Sequence, residues 1–304
     1  MKKMRIPLLA ALAVAILGII LGSFFDLNIS TAIASPKNVF GLTVSAILPT
    51  IGFAAVAAMG GGLVALIVKG KYHIALKILF GVLATACIGV AIYYPAGEYF
   101  GINGFYEAAP KWVGYLIVLV PEAAAMVGGY FLFKDCQNDK MWIVFLVIIG
   151  LLLIALLGVI PLIKDNMHRP RYRLLITTNE ISFHNWWEPF KEYNLYKDTM
   201  AHDNFKSYPS GHTAEVSILF VAITFFPLAN KKMEKYQLPA FIAAGALVLL
   251  VAFARILAAA HFLSDVSWGA TIMLILTFIA NEVIMLIKPL HLSEEQPQEV
   301  KEKE

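Results

Sequence analysis

The stretch YPSGHTAEVSILFVAITFF, Tyr208–Phe226, decides the fold, because a polar segment ending in proline, serine, glycine and histidine turns without a linker into an unbroken apolar run. Such runs recur along the chain at about 20 residues each, with no period-two alternation. About 20 residues of helix are what a ~30 Å hydrocarbon layer requires. Of the 304 residues 59% are hydrophobic and 15% charged, and the mean hydropathy is +0.73. That is too apolar for a soluble domain of this length. The expectation is an all-α, polytopic membrane helix bundle, not a barrel.

Eight apolar spans are predicted, at about 6–25, 41–68, 74–94, 112–133, 141–163, 212–229, 238–258 and 262–287. An even number puts both termini on one side. Lys2, Lys3, Arg5, Lys69, Lys71, Lys134, Lys140, Lys231, Lys232, Lys235 and Lys288 all fall at that side, which marks it as cytoplasmic. The opposite turns are aromatic and poor in lysine and arginine, except for the basic segment Lys164–Tyr208. The first span, with a basic start and AIA at Ala32–Ala34, is read as a retained helix rather than a cleaved leader. The tail 291–304 is charged, unpatterned and expected to be disordered.

A net charge of +3, spread over short loops, makes nucleic acid an unlikely partner. Cys87 and Cys136 suggest neither a disulfide framework nor a thiolate metal site.

Three clusters are expected at one face of the membrane. KDNMHRPRYR, Lys164–Arg173, stands where the fifth span exits. YPSGHT, Tyr208–Thr213, stands where the sixth begins. ARILAAAHFLSD, Ala254–Asp265, stands between the seventh and eighth. Lys164, Arg171 and Arg255 supply fixed positive charge. The Pro209–Gly211 turn adds backbone amides and the positive end of a helix dipole. Together they form an anion cradle, and the arginine fork suits phosphate. His212 and His261 add groups able to act as nucleophile or proton donor near neutral pH. His261 and Asp265 are four apart, so on a helix they share a face, and the carboxylate can bond one ring nitrogen. The other nitrogen is left to attack phosphorus, and His212 to serve the leaving group.

The pattern K-x6-R at Lys164 and Arg171, PSGH at Pro209–His212, and R-x5-H-x3-D at Arg255, His261 and Asp265 resembles the tripartite signature of the type 2 phosphatidic acid phosphatase (PAP2) superfamily. Tyr172 stands where the family usually has proline, and Ala254 where it usually has serine. A second register pairs Arg169 with Pro170, and the distance from Lys164 favours Arg171. The resemblance implies a six-helix core within 71–290, preceded by two extra helices in 1–70. It implies a phosphohistidine on His261, with Asp265 holding the tautomer and His212 protonating the departing oxygen. Lys164, Arg171, Arg255, the Ser210 hydroxyl and the Gly211 amide would stabilise the phosphoryl oxygens, with no metal and no cofactor. The expected activity is extracytoplasmic hydrolysis of a lipid phosphate, with phosphatidic acid, phosphatidylglycerol phosphate and undecaprenyl diphosphate as candidates. A phosphotransferase and a non-catalytic lipid binder or transporter are the rival readings.

Other residues stay open at this level. Glu122 is an intramembrane carboxylate, either functional or neutral at a kinked helix. Glu215, three residues after His212, either orients that ring or pairs with a basic neighbour. Glu282 is expected to reach water at the inner edge. The aromatic loop 174–208 either lies along the outer leaflet or packs as a cap, and its His184 and His202 match no motif position.

Overall fold

The computed structural model describes residues 4–101, 111–136, 140–178, 180–229 and 231–287. The tail expected to be disordered, and Lys288, lie outside the described residues. The first five helices are α1 (Arg5–Ile33), α2 (Val39–Lys69), α3 (Ile74–Gly101), α4 (Lys111–Phe133) and α5 (Met141–Leu153). α5 continues through a π-helical segment, Ile154–Val159, into α6 (Ile160–Met167). Two single turns, α7 (Tyr172–Leu175) and α8 (Tyr193–Tyr196), interrupt the following loop. The chain then forms α9 (Gly211–Ile223), α10 (Phe226–Ala229), α11 (Gln237–Leu257) and α12 (Leu263–Ile287). Among the described residues, eight helical stretches are long and apolar enough to cross a membrane, as the sequence predicts.

Helix boundaries follow local chemistry. Asn38 opens α2 by accepting the Gly41 amide at 2.7 Å, and Ser210 caps α9 from the Thr213 amide. α6 stops at His168, which adopts the left-handed conformation two residues before Pro170. α1 departs from expectation at its far end. The sequence ends the span at residue 25, but Asp26 to Ile33 remain helical, so Asp26 lies inside the helix and is buried.

α2 is the interior helix, packed against α3, α4, α9 and α11, while α1 runs along α12. Over their most apolar windows α2 is 67% buried and α1, α3 and α4 only 22% each, so these three present their faces to lipid. A Cβ on Gly61 would lie 1.9 Å from the Met126 carbonyl oxygen, and one on Gly129 1.9 Å from that of Ala58. Only glycine permits this contact between α2 and α4. At the end of the bundle near the N-terminus, Arg5 forms an ion pair with the partly exposed Glu282. At the other end, Tyr172 bonds Thr31 and the Ser35 amide donates to the Leu257 carbonyl.

The loop after α6 is a packed cap rather than a segment lying free along the surface. Leu174, Ile181, Phe190 and Phe205 form a small core of their own. Trp186 packs on Tyr208 and Trp268 and donates its indole N–H to Ser23 of α1 at 2.9 Å. Glu122 is buried in α4, and neither carboxylate oxygen has a hydrogen-bond partner among the described residues.

Candidate active site

The three sequence clusters meet under this cap. His261 is in the turn between α11 and α12, not on a helix. α11 ends with Ala259 at φ 55°, and the amides of Ala260 and His261 both return to the Arg255 carbonyl. This arrangement closes a helix as a glycine-ended one would, with alanine in the left-handed position. It turns the His261 ring inward, where the residue is 1% exposed.

The ring's two contacts fix its tautomer. Nδ1 lies 2.5 Å from the Ser207 carbonyl, which can only accept, so Nδ1 carries the proton. Nε2 faces Nη1 of Arg171 at 3.3 Å, and a guanidinium can only donate, so Nε2 presents its lone pair. The side-chain pairing with Asp265 expected from the spacing is therefore indirect, because Asp265 Oδ2 is 3.8 Å from Nδ1. Asp265 instead accepts from the Ser207 hydroxyl at 2.5 Å and the Phe262 amide at 2.8 Å. It thus fixes the residue whose carbonyl holds the ring.

Lys164 sits in the last turn of α6, and its ammonium donates to the Lys206 carbonyl at 3.1 Å. A Cβ on Gly211 would lie 3.8 Å from that ammonium, so the lysine reaches the first turn of α9. Ser210 accepts from the amide and hydroxyl of Thr213, which commits its oxygen as a cap and leaves its own proton to donate. His212 is buried, with Nδ1 3.9 Å from Glu215 Oε2. Arg255 is buried at the end of α11. Burial drives the His261 pKa well below its ordinary value, and the nearby charges of Arg171, Arg255, Lys164 and His212 push the same way. The ring is neutral at neutral pH.

The two arginines of the first cluster have separate places. Arg171 also donates to the Asp203 carboxylate and carbonyl, each at 2.7 Å, and to the Ala260 carbonyl at 3.2 Å. Arg169 points away, bonded to Asp26 and Asp265 with its guanidinium over the Phe262 ring. The register set by Lys164 is the one that brings an arginine to His261.

Asp203 and Ser207 were not singled out by the sequence reading. Asp203 also pairs with Arg173 at 2.6 Å. Burial raises its pKa, but Arg171, Arg173, Lys164 and Arg255 outweigh burial and hold it well below the usual carboxylate range. Both residues lie within eight positions of PSGH, in the polar run AHDNFKS, and that proximity was the available signal.

Residues 123–286, more than half of the chain, match the PAP2 superfamily. The chain belongs to that family. The PAP2 match begins within α4 and includes Lys164, Arg171, Ser210, Gly211, His212, Arg255, His261 and Asp265. Over 83 residues the chain is 28% identical to phosphatidylglycerophosphatase B of Bacillus subtilis (strain 168). That similarity covers 27% of this chain and 41% of the relative, less than half of its length. No solved structure matches the chain.

Proposed function

We propose that this PAP2 protein hydrolyses a lipid phosphomonoester or diphosphate at the membrane face carrying the cap, through a phosphohistidine on His261. The observation that carries this reading is the imidazole held as its Nδ1–H tautomer, with the Nε2 lone pair beside Arg171. The lone pair attacks phosphorus, the bond from phosphorus to the leaving oxygen breaks, and His212 gives that oxygen a proton. The ring then bears positive charge, with its Nδ1 proton still on the Ser207 carbonyl. Water, losing its proton to His212, attacks the same phosphorus. The N–P bond breaks, and the electron pair returns to Nε2.

Arg171, Arg255, Lys164 and the Gly211 amide stand where they can offset charge on the equatorial oxygens, a contribution that grows as the transition state forms. The Ser210 proton is a further donor.

A lipid rather than a soluble ester is favoured by an apolar cleft between α2, α3 and the α5–α6 rod. It runs past Met59, Val90, Leu152 and Leu156 and reaches Gly211 and Glu215 of α9. The cleft gives a chain esterified to the phosphate an apolar path from the bilayer to the site. Phosphatidic acid, phosphatidylglycerol phosphate and undecaprenyl diphosphate are the candidate substrates, and the Bacillus relative's name favours the second.

Phosphate release from these three lipids, with EDTA present, tests substrate and metal independence together. Rapid acid-free quenching of a 32P-labelled substrate should trap labelled protein that acid releases. Equal trapping in His261→Ala would remove the assignment of the nucleophile. With both termini cytoplasmic, cysteine placed at position 212 should be labelled from outside the cell by an impermeant thiol reagent, and labelling only after permeabilisation would reverse the topology.

A further inference from the structure

Arg169 is 1% exposed and makes four polar contacts. Nη1 donates to Asp265 at 2.5 Å and to the Ser264 hydroxyl at 2.9 Å, Nη2 to Asp26 at 2.9 Å, and Nε to the His184 carbonyl at 2.9 Å. Asp26 is also buried, and its other oxygen accepts the Ser264 amide at 2.9 Å. The Ser264 hydroxyl donates to the oxygen that Arg169 also holds. Ser264 lies in the first turn of α12, so a carboxylate from α1 satisfies a helix-start amide of another helix and faces its positive end. The approach depends on Gly22, where a Cβ would lie 2.6 Å from the Ser264 nitrogen and 2.8 Å from Asp26.

This knot is joined to the reacting ring. Asp265 holds the Ser207 hydroxyl, and the Ser207 carbonyl holds His261 Nδ1. We propose that Asp26, on a helix outside the segment that carries the PAP2 match, is a positioning residue for the reaction. It acts through Arg169 and the start of α12 to fix Asp265, the Ser207 carbonyl and the His261 ring. The inference rests on His261 being the nucleophile.

The charges explain why a second carboxylate is needed. With Asp265 alone, Arg169 would make a neutral pair, but when Asp26 is ionised as well the knot keeps one net negative charge on the Nδ1 side of the ring. Across the ring stand Arg171, Arg255, Lys164 and His212, which all oppose a cationic imidazole, while Asp203 on Arg171 offsets part of that charge. When Nε2 bonds phosphorus the ring becomes cationic and retains its Nδ1 proton. The negative knot then stabilises the intermediate, and its attachment to α12 keeps the ring aimed.

Asp26→Asn keeps the side-chain shape and an acceptor for the Ser264 amide but removes the charge. Assayed on whichever of the three lipids the parent hydrolyses fastest, it should lower kcat on the order of tenfold while KM stays within about twofold. Directly bonded carboxylates of catalytic histidines are worth up to ~10⁴-fold, and Asp26 is further removed. The acid limb of kcat/KM should move to lower pH, because protonated His261 loses a stabilising charge. Ser264→Ala, which leaves both carboxylates on Arg169, should keep the acid limb of the parent.

A folded Asp26→Asn variant with the parent's kcat overturns the proposal, and so does lower kcat with an unmoved acid limb, which assigns Asp26 to packing alone. If Asp26→Asn does not fold, Asp26→Ser carries the same expectation. Failure of both to fold makes Asp26 a folding residue and also overturns it. A parent inactive on all three lipids, or a fully active His261→Ala, defeats the reading of the site itself, a result distinct from any of these.

Discussion

Nη1 of Arg171 lies 3.3 Å from Nε2 of His261, close enough to donate to the lone pair that would attack phosphorus. The contact has to yield if Nε2 is to bond a phosphoryl group. In the proposed reaction Arg171 would keep Asp203 and the Ala260 carbonyl as anchors and turn a donor toward the phosphate oxygens. Vanadate, which adopts the five-coordinate geometry of phosphoryl transfer, should inhibit competitively. Arg171→Lys should weaken that inhibition by about ten- to a hundredfold, because an ammonium cannot reproduce the fork.

Arg169→Lys should fail differently. Its guanidinium joins two buried carboxylates, and an ammonium, which keeps the charge but not the fork, cannot hold both in that geometry. Loss of thermal stability in detergent is expected first, with vanadate affinity per folded molecule less affected than in Arg171→Lys. The opposite pattern in the two variants would reassign the phosphate-binding arginine to position 169.

Asp265→Asn should lose both rate and stability. The sequence spacing alone predicts a tautomer effect with the fold intact, since it treats Asp265 as a partner of His261 only. Here the carboxylate accepts from Arg169, the Ser207 hydroxyl and the Phe262 amide, so the amide variant sets an NH2 donor against groups that themselves donate. A melting temperature unchanged from the parent, measured in detergent, would contradict this network.

That difference marks where the sequence stopped being legible. Eight apolar runs, and motif residues at their ends, were readable because bilayer thickness imposes a length and phosphate chemistry imposes residue types. The side-chain partners were not. A break between the last two spans was visible, but in AAAHF nothing showed that Ala259 would take the left-handed position that glycine usually fills, so His261 and Asp265 looked like neighbours on one helix face. Asp26 was hidden for a related reason. It stood at the edge of an apolar run and read as the start of a loop, whereas the helix continues to Ile33 and carries it inside. Neither fact has a local signal, because packing against α12 and the cap decides both.

The pH dependence follows from the surroundings of His261. In the proposed mechanism its neutral form is the nucleophile, and burial with four neighbouring positive or protonatable groups drives its pKa well below the ordinary histidine value. Protonation would remove the lone pair, so the acid limb of kcat/KM should lie well below pH ~6.5, the unperturbed value. An acid limb near that value, in a variant-controlled titration that His212→Asn leaves unmoved, would mean that the ring is more solvated than the cap allows.

Substrate length provides the last expectation. The apolar cleft that reaches Gly211 passes Val90 of α3 and Leu156 of the π-helical segment, so a bulky side chain at either point narrows it without replacing any of the proposed phosphate-binding groups. Each methylene withdrawn from an apolar contact costs about 0.8 kcal/mol, and excluding roughly two of them corresponds to about a tenfold loss of affinity. Val90→Trp and Leu156→Trp should therefore raise KM for a long-chain lipid phosphate on the order of tenfold. A dioctanoyl analogue, whose chains end nearer the headgroup, should be changed by less than about threefold, and kcat on either substrate should stay close to the parent because no reacting group moves. Equal KM effects on both lengths would mean that the tryptophan disturbs the site through the bundle. No effect on either would mean that the acyl chain leaves the site by another route, and the cleft would then carry no part of substrate recognition.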